Sequence, residues 1–125
     1  MAVRNLMVID DNEAEQLLAR MIVARHDKSI NVIVASDGKE ALEILAEMEE
    51  PPEVLLLDIN MPRMSGMEFL ANFSSLYKDS KVKVAMCSGS TSEKEQALGY
   101  ECVFSYFEKP LSVKNLEAMA EFFSG

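Results

Sequence analysis

Residues 51–66 read PPEVLLLDINMPRMSG, and the order of types in that stretch sets the architecture. Pro51 and Pro52 end a preceding helix and push the chain toward extended geometry. The run Val54 to Leu57 that follows is apolar without alternation, as in a strand covered on both faces, and it stops on Asp58. After the loop Asn60 to Gly66 come Met67, Leu70, Phe73, Leu76 and Tyr77 at helical spacing. Ser65 and Glu68 have the spacing of a capping box, which accounts for Ser65 without a functional role.

The same unit repeats outward along the chain. Leu6 to Ile9 runs onto Asp10 and Asp11, Val82 to Cys87 onto Ser88, and Val103 to Phe107 ends just before Lys109. Between these runs lie helical periods: Ala14, Leu17, Leu18, Met21 and Ile22 on one predicted face, then Ala41, Leu42, Leu45 and Met48 after an acidic helix start at Asp37, Gly38 and Glu40. A second strand is expected at Ile30 to Ala35, a short and weakly held helix near Ser92 to Leu98 anchored by Ala97 and Leu98, and a fifth strand at Val103 to Glu108. Val113, Leu116, Met119, Ala120 and Phe123 give the last helix its core face. Strands alternating with helices predict an α/β fold, a parallel sheet with helices on both faces. If the strands are parallel, the carboxylates, hydroxyl and ammonium that end them meet at one sheet edge, where such folds bind ligands.

With 125 residues, 49% of them hydrophobic, the chain fits one domain, residues 1–125. No apolar run is long enough to cross a bilayer, and Met1, Ala2, Val3 and Arg4 lead into a strand without a signal-peptide pattern, so a cytoplasmic location without membrane insertion is expected. A formal net charge of −9 argues against direct binding of nucleic acid or anionic lipid. Cys87 and Cys102 lack CxxC spacing and read as reduced core residues. His26, among Arg25, Asp27 and Lys28, reads as a solvated residue at a helix C-terminus. The methionines at helix-face positions, Met21, Met48, Met67 and Met119, read as adaptable core.

Asp10, Asp11 and Asp58 offer the hard oxygens that Mg²⁺ prefers. Asp11 or Asn12 capping the first helix would explain the first pair, but capping there leaves Asp58 unexplained. Three clustered carboxylates against Lys109 leave about two uncompensated negative charges, an imbalance that a divalent cation removes. Asp58 is the candidate nucleophile, since a carboxylate can accept a phosphoryl group as an acyl phosphate. Lys109 and Ser88 would then meet the remaining phosphoryl oxygens, and Gly89 would leave the approach open. A cis Lys109–Pro110 bond would be one way to turn the lysine into the site.

VIDDN at Asp10 and Asp11, LLLDINMPRMSG at Asp58, MCSGS at Ser88 and YFEKP at Lys109 together resemble the receiver domain of two-component response regulators. The resemblance spans essentially the whole chain, and its form is that of stand-alone chemotaxis-type regulators. It implies a flavodoxin-like (βα)5 sandwich with strand order 2-1-3-4-5. It also implies Asp58 as phosphoacceptor, supplied by a phosphohistidine on a sensor histidine kinase or histidine phosphotransfer protein. By matching positions, Mg²⁺, with Mn²⁺ as a substitute, would be held by Asp11, Asp58 and the backbone carbonyl of Asn60, with Asp10 helping through water. Ser88, standing where Thr is more frequent, and Lys109 would contact phosphate, and Tyr106 falls on the switch aromatic that reshapes the face made by the fourth helix, fifth strand and fifth helix for a downstream protein. Asn60 and Ser90 occupy the positions that tune phosphate lifetime, and Cys102 stands where many relatives have Gly before the fifth strand.

Other functions fit the residues less well. A phosphorelay intermediate or phosphate sink would keep the same chemistry without an output of its own. An aspartyl-nucleophile phosphohydrolase of the haloacid-dehalogenase type carries a second Asp two residues after the nucleophile, where this chain has Asn60, which cannot exchange protons in that role. A pure scaffold has no need for a self-repelling acidic set. A flavin or dinucleotide protein would need a glycine-rich loop after the first strand.

Overall fold

In the computed structural model, which describes residues 3–61 and 63–124, ten elements alternate strictly. They are β1 (Asn5–Ile9), α1 (Glu13–His26), β2 (Asn31–Ala35), α2 (Gly38–Glu47), β3 (Val54–Leu57), α3 (Gly66–Leu76), β4 (Lys83–Ser88), α4 (Lys94–Leu98), β5 (Val103–Glu108) and α5 (Val113–Ser124). Met1 and Ala2, used above for the N-terminal reading, and Pro62 of the β3–α3 loop lie outside the described residues. The five strands form one parallel sheet in the order β2-β1-β3-β4-β5, the flavodoxin-like order expected above. Among the described residues no helix is long and apolar enough to cross a membrane.

The sheet divides the core in two. Met7, Ile9, Leu55, Leu57, Val84 and Met86 face α2, α3 and α4, packing on Ala41, Leu45, Phe69, Phe73 and Ala97. Leu6, Val8, Val54, Leu56, Ala85 and Phe107 face α1 and α5, packing on Ala19, Val23, Leu116, Met119 and Phe123. Period-two alternation explains the split, and burial on both sides explains why the central strands read as continuous apolar runs.

Capping agrees closely with the sequence. Asn12, rather than Asp11, caps α1 by accepting from the Glu15 amide, Asp37 caps α2 by accepting from the Glu40 amide, and Ser65 with Glu68 closes a capping box on α3. The α4 helix is short, has no side-chain cap, and buries Ala97 while Leu98 stays 43% exposed. Ser88 ends β4 as its last strand residue, and β2 begins one residue later than predicted.

Two helix faces differ from the expectation. On α1 the buried residues are Ala19 and Val23, with Leu18 and Ile22 half-buried, whereas Ala14 is exposed, Leu17 is 59% exposed and Met21 is 54% exposed. The apolar arc of this helix is wide enough for two overlapping stripes, and the helix is rotated to present the one containing Glu15, Ala19 and Val23. On α3, Leu76 is exposed as the helix's last residue, on the solvent side, while Phe69, Leu70 and Phe73 fill the core. His26 is half-buried as the last residue of α1 rather than fully solvated, and Cys87 and Cys102 are free and half-buried.

Candidate functional site

Strand parity aims the charged residues. In β1 and β3 the residues Leu6, Val8, Val54 and Leu56 face α1, and Asp10 and Asp58 continue that parity past the strand ends. The register pairs Val8 with Leu56 and Ile9 with Leu57, so Asp10 and Asp58 stand side by side at the C-terminal edge. Their backbones are tied in: the Asp10 amide donates to the Ala35 carbonyl at 3.0 Å and the Asp58 amide to the Ile9 carbonyl at 2.9 Å. Lys109 follows Phe107 with the same parity, and its amide donates to the Ser88 carbonyl at 2.9 Å. The Lys109–Pro110 peptide bond is cis.

Lys109 Nζ therefore lies 3.2 Å from Asp10 Oδ2 and 3.1 Å from Asp58 Oδ1. A third partner was not foreseen: Glu15, in the first turn of α1, also pairs with this ammonium. One oxygen each from Asp10, Glu15 and Asp58 lie within 4.8 Å of one another. Asp11 is exposed and outside this group, and Asn60 is exposed where the β3–α3 loop begins. An Asx turn holds Asp10, whose Oδ1 accepts from the Asn12 amide at 3.0 Å, while Gln16 Nε2 donates to its carbonyl at 2.6 Å.

Burial governs the electrostatics. Removal from water pushes the Asp10 carboxyl up to about 6, opposed by the Asn12 amide, with Glu15 and Asp58 adding to the rise. Burial likewise raises Asp58, against the pull of Lys109. At Lys109 burial alone would favour the neutral amine, but hydrogen bonds to Glu15 and Asp58 and the surrounding carboxylates hold it firmly protonated. Glu15, less enclosed, is held below the usual range by Lys109 in spite of some desolvation. Beneath these charges a cavity of about 300 Å³ is walled by Leu18, Leu56 and Leu111 as well as by the charged groups. Cys87 also lines it, with its thiol pushed up to about 11 by burial, so the sulfur is no nucleophile at neutral pH.

Hard carboxylate oxygens without imidazole or thiolate suit a magnesium-type ion, and the excess of carboxylate over ammonium supplies the charge such an ion would neutralise.

The rest of the predicted set lines the β4 end. Ser88 is 1% exposed, and its hydroxyl accepts from the Ser90 amide at 3.2 Å. A Cβ built on Gly89 would meet nothing within 4 Å, which leaves that approach open. Tyr106 packs on the α2–α4 side of the core, and its hydroxyl donates to the Ser90 carbonyl at 2.6 Å. Cys102 Sγ lies 3.5 Å from Ser74 Oγ, and the β4–β5 ladder shifts register between Val84 and Ala85, near the turn that carries it.

Two supports carry no signal that composition or spacing reveals. A Cβ on Gly66 would lie 2.1 Å from the Asp58 carbonyl oxygen and 2.6 Å from Ile59 Cα, so only glycine lets α3 start this close to the end of β3. Arg63, in the same loop, has φ 62° and reaches the buried Asp37.

Comparison with known proteins agrees with this geometry. Residues 6–121 match the response regulator receiver domain, and the chain belongs to that family of signalling modules. It is 33% identical over 114 residues to the transcriptional regulatory protein CpxR of Escherichia coli strain K12, covering 90% of this chain and 45% of that protein. It is also 33% identical over 118 residues to the response regulator MprA of Mycobacterium ulcerans, covering 94% of this chain and 48% of that protein, so it spans less than half the length of these relatives. Among solved structures it resembles the bacteriophytochrome response regulator RtBRR, with 29% identity and a TM-score of 0.81 over 100% of this chain and 79% of that one.

Proposed function

We propose that this receiver accepts a phosphoryl group on Asp58 from a phosphohistidine and uses it to change the affinity of its surface for a downstream protein. The observation that carries this reading is the convergence of Asp10 and Asp58, from two strand ends, on the ammonium of Lys109 from a third. An oxygen of Asp58 attacks phosphorus, the bond from phosphorus to the donor imidazole breaks, and the histidine leaves with its electron pair. Asp10, Asp11, Asp58 and the Asn60 carbonyl would hold Mg²⁺, or Mn²⁺ in its place, which when bound neutralises charge on the phosphoryl oxygens. Lys109 stabilises the charge that gathers there, and Ser88 and Gly89 flank the remaining oxygens. Asn60 and Ser90 border the acyl phosphate and tune its lifetime.

Tyr106 is the reporter on the face of α4, β5 and α5. Its hydroxyl is held by Ser90, two residues from the phosphate-sensing Ser88, so movement of that segment frees or retains the ring. The donor is a sensor histidine kinase or a histidine phosphotransfer protein in the cytoplasm.

Incubation with acetyl phosphate and Mg²⁺ followed by intact-mass spectrometry tests the site. One phosphoryl group is expected on the wild type and none on Asp58→Asn. Equal labelling of both would remove Asp58 as acceptor. Affinity capture with and without beryllofluoride tests the switch, and identical partners in the two states would sink it.

A further inference from the structure

We propose that Glu15 is a built-in competitor of the phosphoryl group for Lys109, setting how tightly phosphate is held, and that it is not a metal ligand. The inference rests on Asp58 being the acceptor. An ammonium has three N–H donors, and here it donates to Asp10 at 3.2 Å and to Glu15 while Asp58 lies at ion-pair distance, 3.1 Å. Three carboxylates thus crowd the one ammonium. A phosphoryl group arriving on Asp58 brings about two negative charges and three acceptor oxygens, so it competes with these carboxylates for Lys109.

The three are not equally placed to yield. Asp10 and Asp58 continue adjacent strands and are nine-tenths or more buried, so neither can leave the ammonium for solvent. Glu15 comes from a helix rather than a strand end, with its side chain 39% exposed. Its flexible arm can swing to solvent at little cost, so it is the carboxylate that gives way when another anion approaches Lys109. Glu15 also lies below the usual carboxylate range because of this lysine, as a committed partner should.

Because Glu15 is partly exposed, the competition is modest, and removal of its charge should tighten phosphate mimics about three- to fivefold. The test is beryllofluoride affinity, read by fluorine NMR at saturating Mg²⁺, for wild type, Glu15→Gln and Glu15→Asp, with Mg²⁺ affinity measured separately by calorimetry. Both variants are expected to bind beryllofluoride more tightly, Glu15→Asp because its arm is one methylene short of the ammonium, with Mg²⁺ affinity unchanged within about twofold. Equal or weaker beryllofluoride binding in Glu15→Gln overturns the competition. Weakened Mg²⁺ binding makes Glu15 a metal ligand and also overturns it. Absence of an adduct in the wild type, under conditions where Mg²⁺ binds, overturns the assignment of Asp58 and this inference together, whereas a wild-type adduct with unaltered variants overturns this inference alone.

Discussion

Arg63 and Asp37 are joined across two loops: Nη2 of the arginine lies 2.5 Å from Oδ2 of the aspartate, and Nε donates to the same oxygen at 2.7 Å. The aspartate is buried and also caps α2, while the arginine is, among the described residues, the one non-glycine residue at positive φ. The pair ties the loop that follows Asp58 to the start of α2, so backbone strain at Arg63 is offset by a contact that only its side chain makes.

Arg63→Ala keeps the strained backbone and strands the buried carboxylate. A loss of stability is expected, smaller than for a fully buried pair because Arg63 is largely exposed. Arg63→Gly removes the strain along with the pair and should lose less than Arg63→Ala. Urea unfolding of both variants measures this, and a larger loss for Gly than for Ala would contradict the strain at this position.

The same pair predicts an acid dependence. Asp37 is held below its ordinary value, because its bonds to the Glu40 amide and Arg63 outweigh the desolvation that pushes it up. Its stabilisation is therefore complete above the unfolded pKa of about 3.9 and is lost as pH falls through the lower folded value. Asp37→Asn should flatten the acid limb of the stability curve below about pH 4.

Asp10 behaves in the opposite sense. Its folded pKa of about 6 lies above the unfolded one, so without metal the folded state holds an extra proton, and stability falls as pH rises from about 4 to 6. Roughly 3 kcal/mol is at stake. Millimolar Mg²⁺ should cancel the fall, because it favours the ionised carboxylate. Thermal melts at pH 4.5 and 7 with and without Mg²⁺ make the comparison, and a stability that rises with pH in chelator would refute it.

Gly66→Ala tests the support beneath the acceptor. The added methyl meets the Asp58 carbonyl and Ile59 backbone, which cannot give way as a side-chain tip could. We expect destabilisation of about 3 kcal/mol and loss of labelling at Asp58 in the fraction that folds. A variant with wild-type stability would mean that α3 can shift along the sheet.

Substitutions on α1 test its rotation. Leu17→Gln and Met21→Gln, on the solvent face, should change stability by less than about 0.5 kcal/mol, whereas Val23→Ala, fully buried, should cost about 1–3 kcal/mol. Equilibrium unfolding in urea of each variant decides it.

That rotation also shows where sequence reading stops. The strands, the three side-chain caps and the meeting of Asp10, Asp58 and Lys109 were all legible, because each depends on local chemistry or on strand parity. The face of α1 was not. Leu17 and Leu18, and then Met21 and Ile22, are adjacent apolar pairs, so a 3.6-residue period fits either stripe. What selects between them is tertiary packing, Ala19 and Val23 against Leu6, Val8 and Leu56 of the sheet and Leu116 and Met119 of α5. Gly66 and Arg63 were hidden for a similar reason, since a close backbone approach and a loop-to-loop ion pair leave no periodic trace.

Tyr106 and Lys109 sit three residues apart on one chain segment, and the first packs toward α2–α4 while the second reaches toward α1. The sheet thus works as a partition with the charge chamber on one side and the aromatic on the other. An odd separation is what keeps each residue in its own compartment. Inserting or deleting one residue between them would put the ammonium and the ring on the same side, so evolution can vary the side chains of this segment far more freely than its length.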